Sequence, residues 1–149
     1  MRIVSVAVMA FVLLTACGKN QFSETTELVK EAVSMDKAYV EEMNKAQRPE
    51  EMVKAMENYQ NHLEGLAPQW EKVSAQLKTL EGNGSLKAKM DAGQLILASG
   101  EYMVTQLSVW EKTQASLEKY PEDEGVRAAA EKVTATLTRW FKEDEKEKR

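Results

Sequence analysis

Apolar residues recur at helical spacing through most of this chain, and the residues that break helices gather at three places. Pro49, the run Glu81-Gly82-Asn83-Gly84-Ser85, and Tyr120-Pro121 with Gly125 divide residues 23–145 into four segments. In the first, Ser23 to Ala46, the residues Leu28, Val29, Ala32, Val33, Tyr39, Val40 and Met43 form a stripe, and Ser23 is the expected N-cap. The second opens at Pro49, a favoured first helical position because the missing N–H would have no partner there. Its seam Met52, Met56, Tyr59, Leu63, Leu66, Trp70, Val73, Leu77, Leu80 alternates spacings of 4 and 3, the heptad rhythm of knobs-into-holes packing. The phase carries across Pro68, which falls opposite the seam, so one helix is expected to about Glu81, bent near the proline.

The third segment, Ser85 to about Lys119, places Leu86, Met90, Ile96, Met103, Leu107, Trp110 and Leu117 on its apolar side. Gly93 and the triplet Ala98-Ser99-Gly100 would let a neighbouring helix approach closely. The fourth, from near Glu122 to about Glu143, spaces Val126, Ala130, Val133, Leu137 and Trp140 by 4, 3, 4, 3. Four amphipathic helices with short connections predict an all-α, antiparallel up-down four-helix bundle. The fold class carries no catalytic assignment of its own.

The first 16 residues follow a different pattern. Met1-Arg2 supplies one positive charge, Ile3 to Leu13 an apolar run too short to span a bilayer, and Leu14-Thr15-Ala16-Cys17 follows directly. Those four residues resemble the lipobox of bacterial lipoproteins. The resemblance implies a signal peptide over 1–16, a mature chain starting at lipidated Cys17, a tether over 17–22, the bundle over 23–145 and a charged tail over 146–149. It implies acylation of Cys17 with palmitate-type chains; two or more chains anchor a protein stably where one does not. Gly18, standing where Asp would retain the protein in the inner membrane, implies the periplasmic face of the outer membrane.

Charge and cysteine content narrow the function classes. Without Arg2, 19 of the 20 Lys and Arg remain against 24 Asp and Glu, a side-chain charge of −5. An acidic surface argues against nucleic acid as partner. Cys17 is the one cysteine, so its acylation leaves no thiol for a disulfide. The tether of six residues reaches about 20 Å at roughly 3.3 Å per residue, which keeps the bundle beside the membrane.

Candidate chemistry is sparse. His62 is the single histidine and flanks the second seam, which excludes the usual zinc sites and gives a Ser-His-Asp arrangement no support. Met52 and Met56 lie one turn apart, as copper(I) thioethers would, yet both occupy the seam, where methionine fills a core. Trp70, Trp110 and Trp140 sit on three helices; Trp70 and Trp140 are expected at one height, stacked in the core or bordering an apolar pocket. The helix-turn-helix from Asn44 to Ala55 is similar in architecture to exported four-helix b-type cytochromes, but the haem ligands do not carry over. The fourth segment has no histidine, Val33 stands at the facing position of the first, and no Cys-x-x-Cys-His occurs. No metal and no cofactor is expected.

At the end away from Cys17, the layout gathers Glu41, Glu42, Glu50, Glu51, Glu122, Asp123 and Glu124. Carboxylates in a first helical turn complement the helix dipole. Alternatively Glu50, Glu51, Glu122, Asp123 and Glu124 form an acidic tip for a basic partner. The sequence therefore predicts a lipid-anchored, non-catalytic interaction, assembly or chaperone-like module that meets another envelope protein. A carrier of a small apolar ligand within the bundle is the alternative.

Overall fold

The computed structural model describes residues 22–83, 90 and 92–146. The signal-peptide and Cys17 expectations, the tether before Phe22 and the last three residues of the tail lie outside that range. Four helices follow one another: α1 (Ser23–Lys45), α2 (Pro49–Asn83), α3 (Gly93–Lys119) and α4 (Glu124–Lys146). No strand occurs among the described residues, and the helices pack on one another as a four-helix bundle.

Direction alternates along the chain, but chain neighbours are not always packing neighbours. α1 packs on both α2 and α3, α4 packs closely on α2, and the α3/α4 edge is the loosest of the four. α2 and α3 thus face each other across the diagonal, where the rings of Trp70 and Tyr102 meet at 4.9 Å. α1 and α3 run side by side in the same direction, in near register. Their C-terminal ends are joined where the Tyr120 hydroxyl donates to the Gln47 carbonyl at 2.6 Å.

The second seam is the spine of the core. Met52, Met56, Tyr59, Leu63, Leu66 and Val73 are all buried, and α2 runs unbroken through exposed Pro68. Val29, Ala32, Val33, Tyr39 and Met43 of α1 and Val126, Ala130, Val133 and Leu137 of α4 close around it. Ser23 is not the N-cap of α1. Phe22 holds that position without a side-chain cap, and its carbonyl accepts from both the backbone and the hydroxyl of Thr26.

α3 departs from the expected orientation. Ile96, Met103, Leu107 and Trp110, read as its core stripe, are exposed, as is Met90, while Leu117 is only partly buried. The buried side is instead Leu95, Ala98, Tyr102 and Val109 together with Thr105, Gln106, Thr113 and Ser116. Two apolar stripes compete on this helix, and the one mixed with hydroxyl and amide groups faces inward.

The reason lies on α1. Asp36 occupies a seam position between Val33 and Tyr39 and is 1% exposed. Its carboxylate accepts from Tyr59 at 2.6 Å, from Thr105 at 2.6 Å, and from Gln106 Nε2 at 2.8 and 2.9 Å. Nearby, Tyr39 stacks on Tyr59 at 4.5 Å and shares a 2.8 Å hydrogen bond with Thr113. Turning α3 by half a revolution would bury its greasier stripe but strip Thr105 and Gln106 from Asp36. A buried carboxylate without partners costs several kcal/mol.

Candidate functional site

A residue that must supply donors to the core on one side leaves its neighbours on the other side to water. From Gly93 to Trp110 the only charged residue is Glu101, and it is paired with Lys37 of α1 at 2.6 Å. The outward side of that stretch carries Ile96, Leu97, Met103, Val104, Leu107 and Trp110, exposed from 48% for Trp110 to 75% for Leu97. Spaced along one side of the helix, these six side chains make a continuous apolar face of the kind that marks an interaction surface.

Part of this face is concave. Where α3 and α4 pack most loosely, a surface groove of about 610 Å³ opens between them. Met103, Val104, Leu107 and Trp110 form one wall, Leu137 with Thr134 and Thr138 the other, and Gly100 lies at the rim. Among the described residues, beyond the glycine's own neighbours and helix backbone, no atom comes within 4 Å of the place a Cβ would take at Gly100 or Gly93, so neither glycine serves a helix contact there. A groove of about 540 Å³ between α1 and α2 is lined largely by charged and polar groups such as Glu24, Glu27 and Lys72.

The polar network behind the groove is electrostatically tuned. Burial raises the Asp36 carboxyl above its ordinary value, opposed by the hydrogen bonds from Thr105, Tyr59 and Gln106. Burial pushes the Tyr39 hydroxyl up to about 12. Tyr59 and Tyr102 are raised further, first by burial and then by the negative charge of Asp36. Gln106 lines the groove while its Nε2 serves Asp36 and Tyr59; its buried Oε1 has no hydrogen-bond partner among the described residues.

The residues singled out in the sequence are not brought together as one site. Trp70 packs in the core against Tyr102, and the side chain of Trp140 lies outside the described residues. Met52 and Met56 are buried filler of the seam, and His62 is exposed. Among the described residues no group of three His, Cys, Asp or Glu lies close enough to hold a metal ion. None of the helices there is long and apolar enough to cross a membrane.

At the acidic end, two carboxylates work locally. Glu51 accepts from the Gln47 and Arg48 backbone amides and pairs with the Arg48 side chain at 2.7 Å. Asp123 caps α4 by accepting from the Val126 amide at 2.9 Å. Glu50, Glu122 and Glu124 are exposed.

Asp36, Thr105 and Gln106 escaped the sequence reading. The available signal was an Asp in the heptad phase of α1, three residues from both Val33 and Tyr39. No family model, curated protein or solved structure matches the chain.

Proposed function

We propose that this chain is an exported lipoprotein, anchored through Cys17 at the periplasmic face of the outer membrane, whose bundle acts by contact with a protein partner and catalyses no reaction. The address rests on Leu14-Thr15-Ala16-Cys17 and on Gly18. The contact reading rests on one observation, the outward apolar face of α3. Apolar surface left in water forgoes roughly 25 cal/mol per Å², so a face this large and free of charge suits burial against another apolar surface.

The test is crosslinking of the full chain in its native envelope, comparing the parent with Val104→Glu/Leu107→Glu. The parent should yield a covalent adduct of higher mass, and the variant should lose it while keeping its helicity and membrane attachment. An adduct that survives both substitutions rejects α3 as the contact face.

The groove between α3 and α4 supports a second reading, a carrier of a small apolar ligand. The ligand would then lie at the surface rather than beside Trp70 in the core. Organic extraction of the purified full chain followed by mass spectrometry should release such a ligand in stoichiometric amount, and an empty extract rejects this reading.

A further inference from the structure

Among the described residues two buried side-chain polar atoms lack a hydrogen-bond partner, Ser99 Oγ and Gln106 Oε1. Both belong to α3 and to one side of it, roughly 10 Å apart at about 1.5 Å per residue. That side is a wall of the groove: Met103 and Trp110, one turn on from each, line it together with Gln106 itself. The two atoms differ in what they need. A serine hydroxyl within a helix reaches a carbonyl of the preceding turn by a single rotation. An amide oxygen can only accept, and the N–H groups of the surrounding helix turns are already spent on their own ladder.

The Gln106 amide is also held in its orientation. Its Nε2 donates to both Asp36 oxygens and to the Tyr59 hydroxyl, and the residue is 6% exposed. Turning the amide over would set its oxygen against the Asp36 carboxylate, so Oε1 keeps its place. A buried acceptor left unmatched beside an apolar groove calls for a donor from outside the chain.

We infer that the groove between α3 and α4 takes a neutral, hydroxyl-bearing lipid whose O–H donates to Gln106 Oε1 while its hydrocarbon lies along Met103, Val104, Leu107 and Leu137. The volume of about 610 Å³ suits such a ligand, inside the roughly 300–1,000 Å³ of small-molecule sites. Charge selects the neutral form. No charged side chain lines the groove, so an ionised head would lose its water with nothing to replace it. The Asp36 carboxylate behind Gln106 adds repulsion for an anion. Met103, exposed and the most adaptable side chain of the wall, swings aside to let the hydroxyl reach the amide.

This inference rests on the carrier reading of the groove, and the experiment separates the two. The full chain in its native envelope is photolabelled with a diazirine-bearing dodecan-1-ol, with the methyl ether of the same chain and with the matching dodecanoate, and labelled peptides are read by mass spectrometry. The alcohol should label the α3 and α4 walls about tenfold more than either of the others, and excess plain dodecan-1-ol should remove the label. Asp36→Asn lets the amide turn over and occupies Oε1 within the chain, so the preference for alcohol over ether should vanish with helicity unchanged. Gly100→Leu, whose Cβ meets no atom among the described residues, narrows the groove and should weaken labelling by all three probes. Equal labelling of the parent by alcohol and ether, or strongest labelling by dodecanoate, overturns the hydroxyl donor and leaves the carrier reading standing. A preference for the alcohol that survives Asp36→Asn takes the role away from Gln106. No groove label from any probe overturns the inference, and an empty organic extract beside it removes the carrier reading as well.

Discussion

Asp36 on α1 accepts hydrogen bonds on both carboxylate oxygens from one nitrogen, Gln106 Nε2 on α3, at 2.8 and 2.9 Å. Thr105 and Tyr59 complete the set, so three side chains from two helices converge on one buried carboxylate. This cluster, more than hydrophobic area, sets the rotation of α3 about its axis.

Removing the carboxylate should therefore cost far more than replacing it by its amide. Asp36→Ala leaves the buried Tyr59 hydroxyl without its acceptor and Thr105 and Gln106 with only the Tyr102 carbonyl and the Tyr59 hydroxyl to donate to, and a loss of about 3 kcal/mol is expected from urea denaturation. Asp36→Asn lets the Gln106 amide turn over. Its Oε1, unpartnered in the parent, would then accept from the new amide, and the variant should stay within about 1 kcal/mol of the parent.

The same carboxyl gives stability a pH dependence of definite sign. Burial, the largest influence, raises its folded value above the ordinary 3.8. The folded chain thus holds this proton more tightly than the unfolded chain. The contribution is complete below the unfolded value and is lost as pH rises through the folded value. Exposed Glu41, lowered by the hydrogen bond from Lys45, and Glu51, lowered first by the Gln47 amide, act in the opposite sense and lose their contribution as pH falls. Subtracting the Asp36→Asn curve isolates Asp36: the parent's denaturation midpoint should fall relative to the variant as pH rises above about 3.8. Parallel curves would show that Asp36 titrates alike in both states.

Two glycines should respond differently to a methyl group. Gly100→Ala adds a Cβ into open space within a helix and should stabilise the monomeric chain by about 0.5–1 kcal/mol, read as a rise in Tm. Gly125→Ala places its Cβ 3.2 Å from Asp123 Oδ1, the oxygen that caps α4. That crowding should cancel most of the gain. Asp123→Ala, which removes the cap outright, should cost about 1 kcal/mol.

Truncation of leucines distinguishes the face of α3 from the core. Leu63→Ala opens a fully buried site and should cost 2–5 kcal/mol, on the order expected for buried leucine. Leu107→Ala, at a position 70% exposed, should change monomer stability by about 0.5 kcal/mol or less. Comparable losses at both would mean that α3 packs with its other side inward.

Hydrophobic period alone settled that the chain makes four helices, where Pro49 and Pro121 punctuate it, and which side of α2 is buried, because a seam of nine apolar residues leaves that helix a single favourable rotation. Tertiary structure decided two things the period could not. One is which helices become neighbours: α2 and α3, consecutive in the chain, end up on a diagonal. The other is the rotation of α3, where periodicity favours the greasier stripe and the structure leaves that stripe outside. Only the donors demanded by Asp36, a residue 69 positions away from Thr105, override that preference. Hydrogen-bond demand in a dry core is local in space and remote in sequence, and the apolar face it leaves outside is the feature on which the proposed function rests.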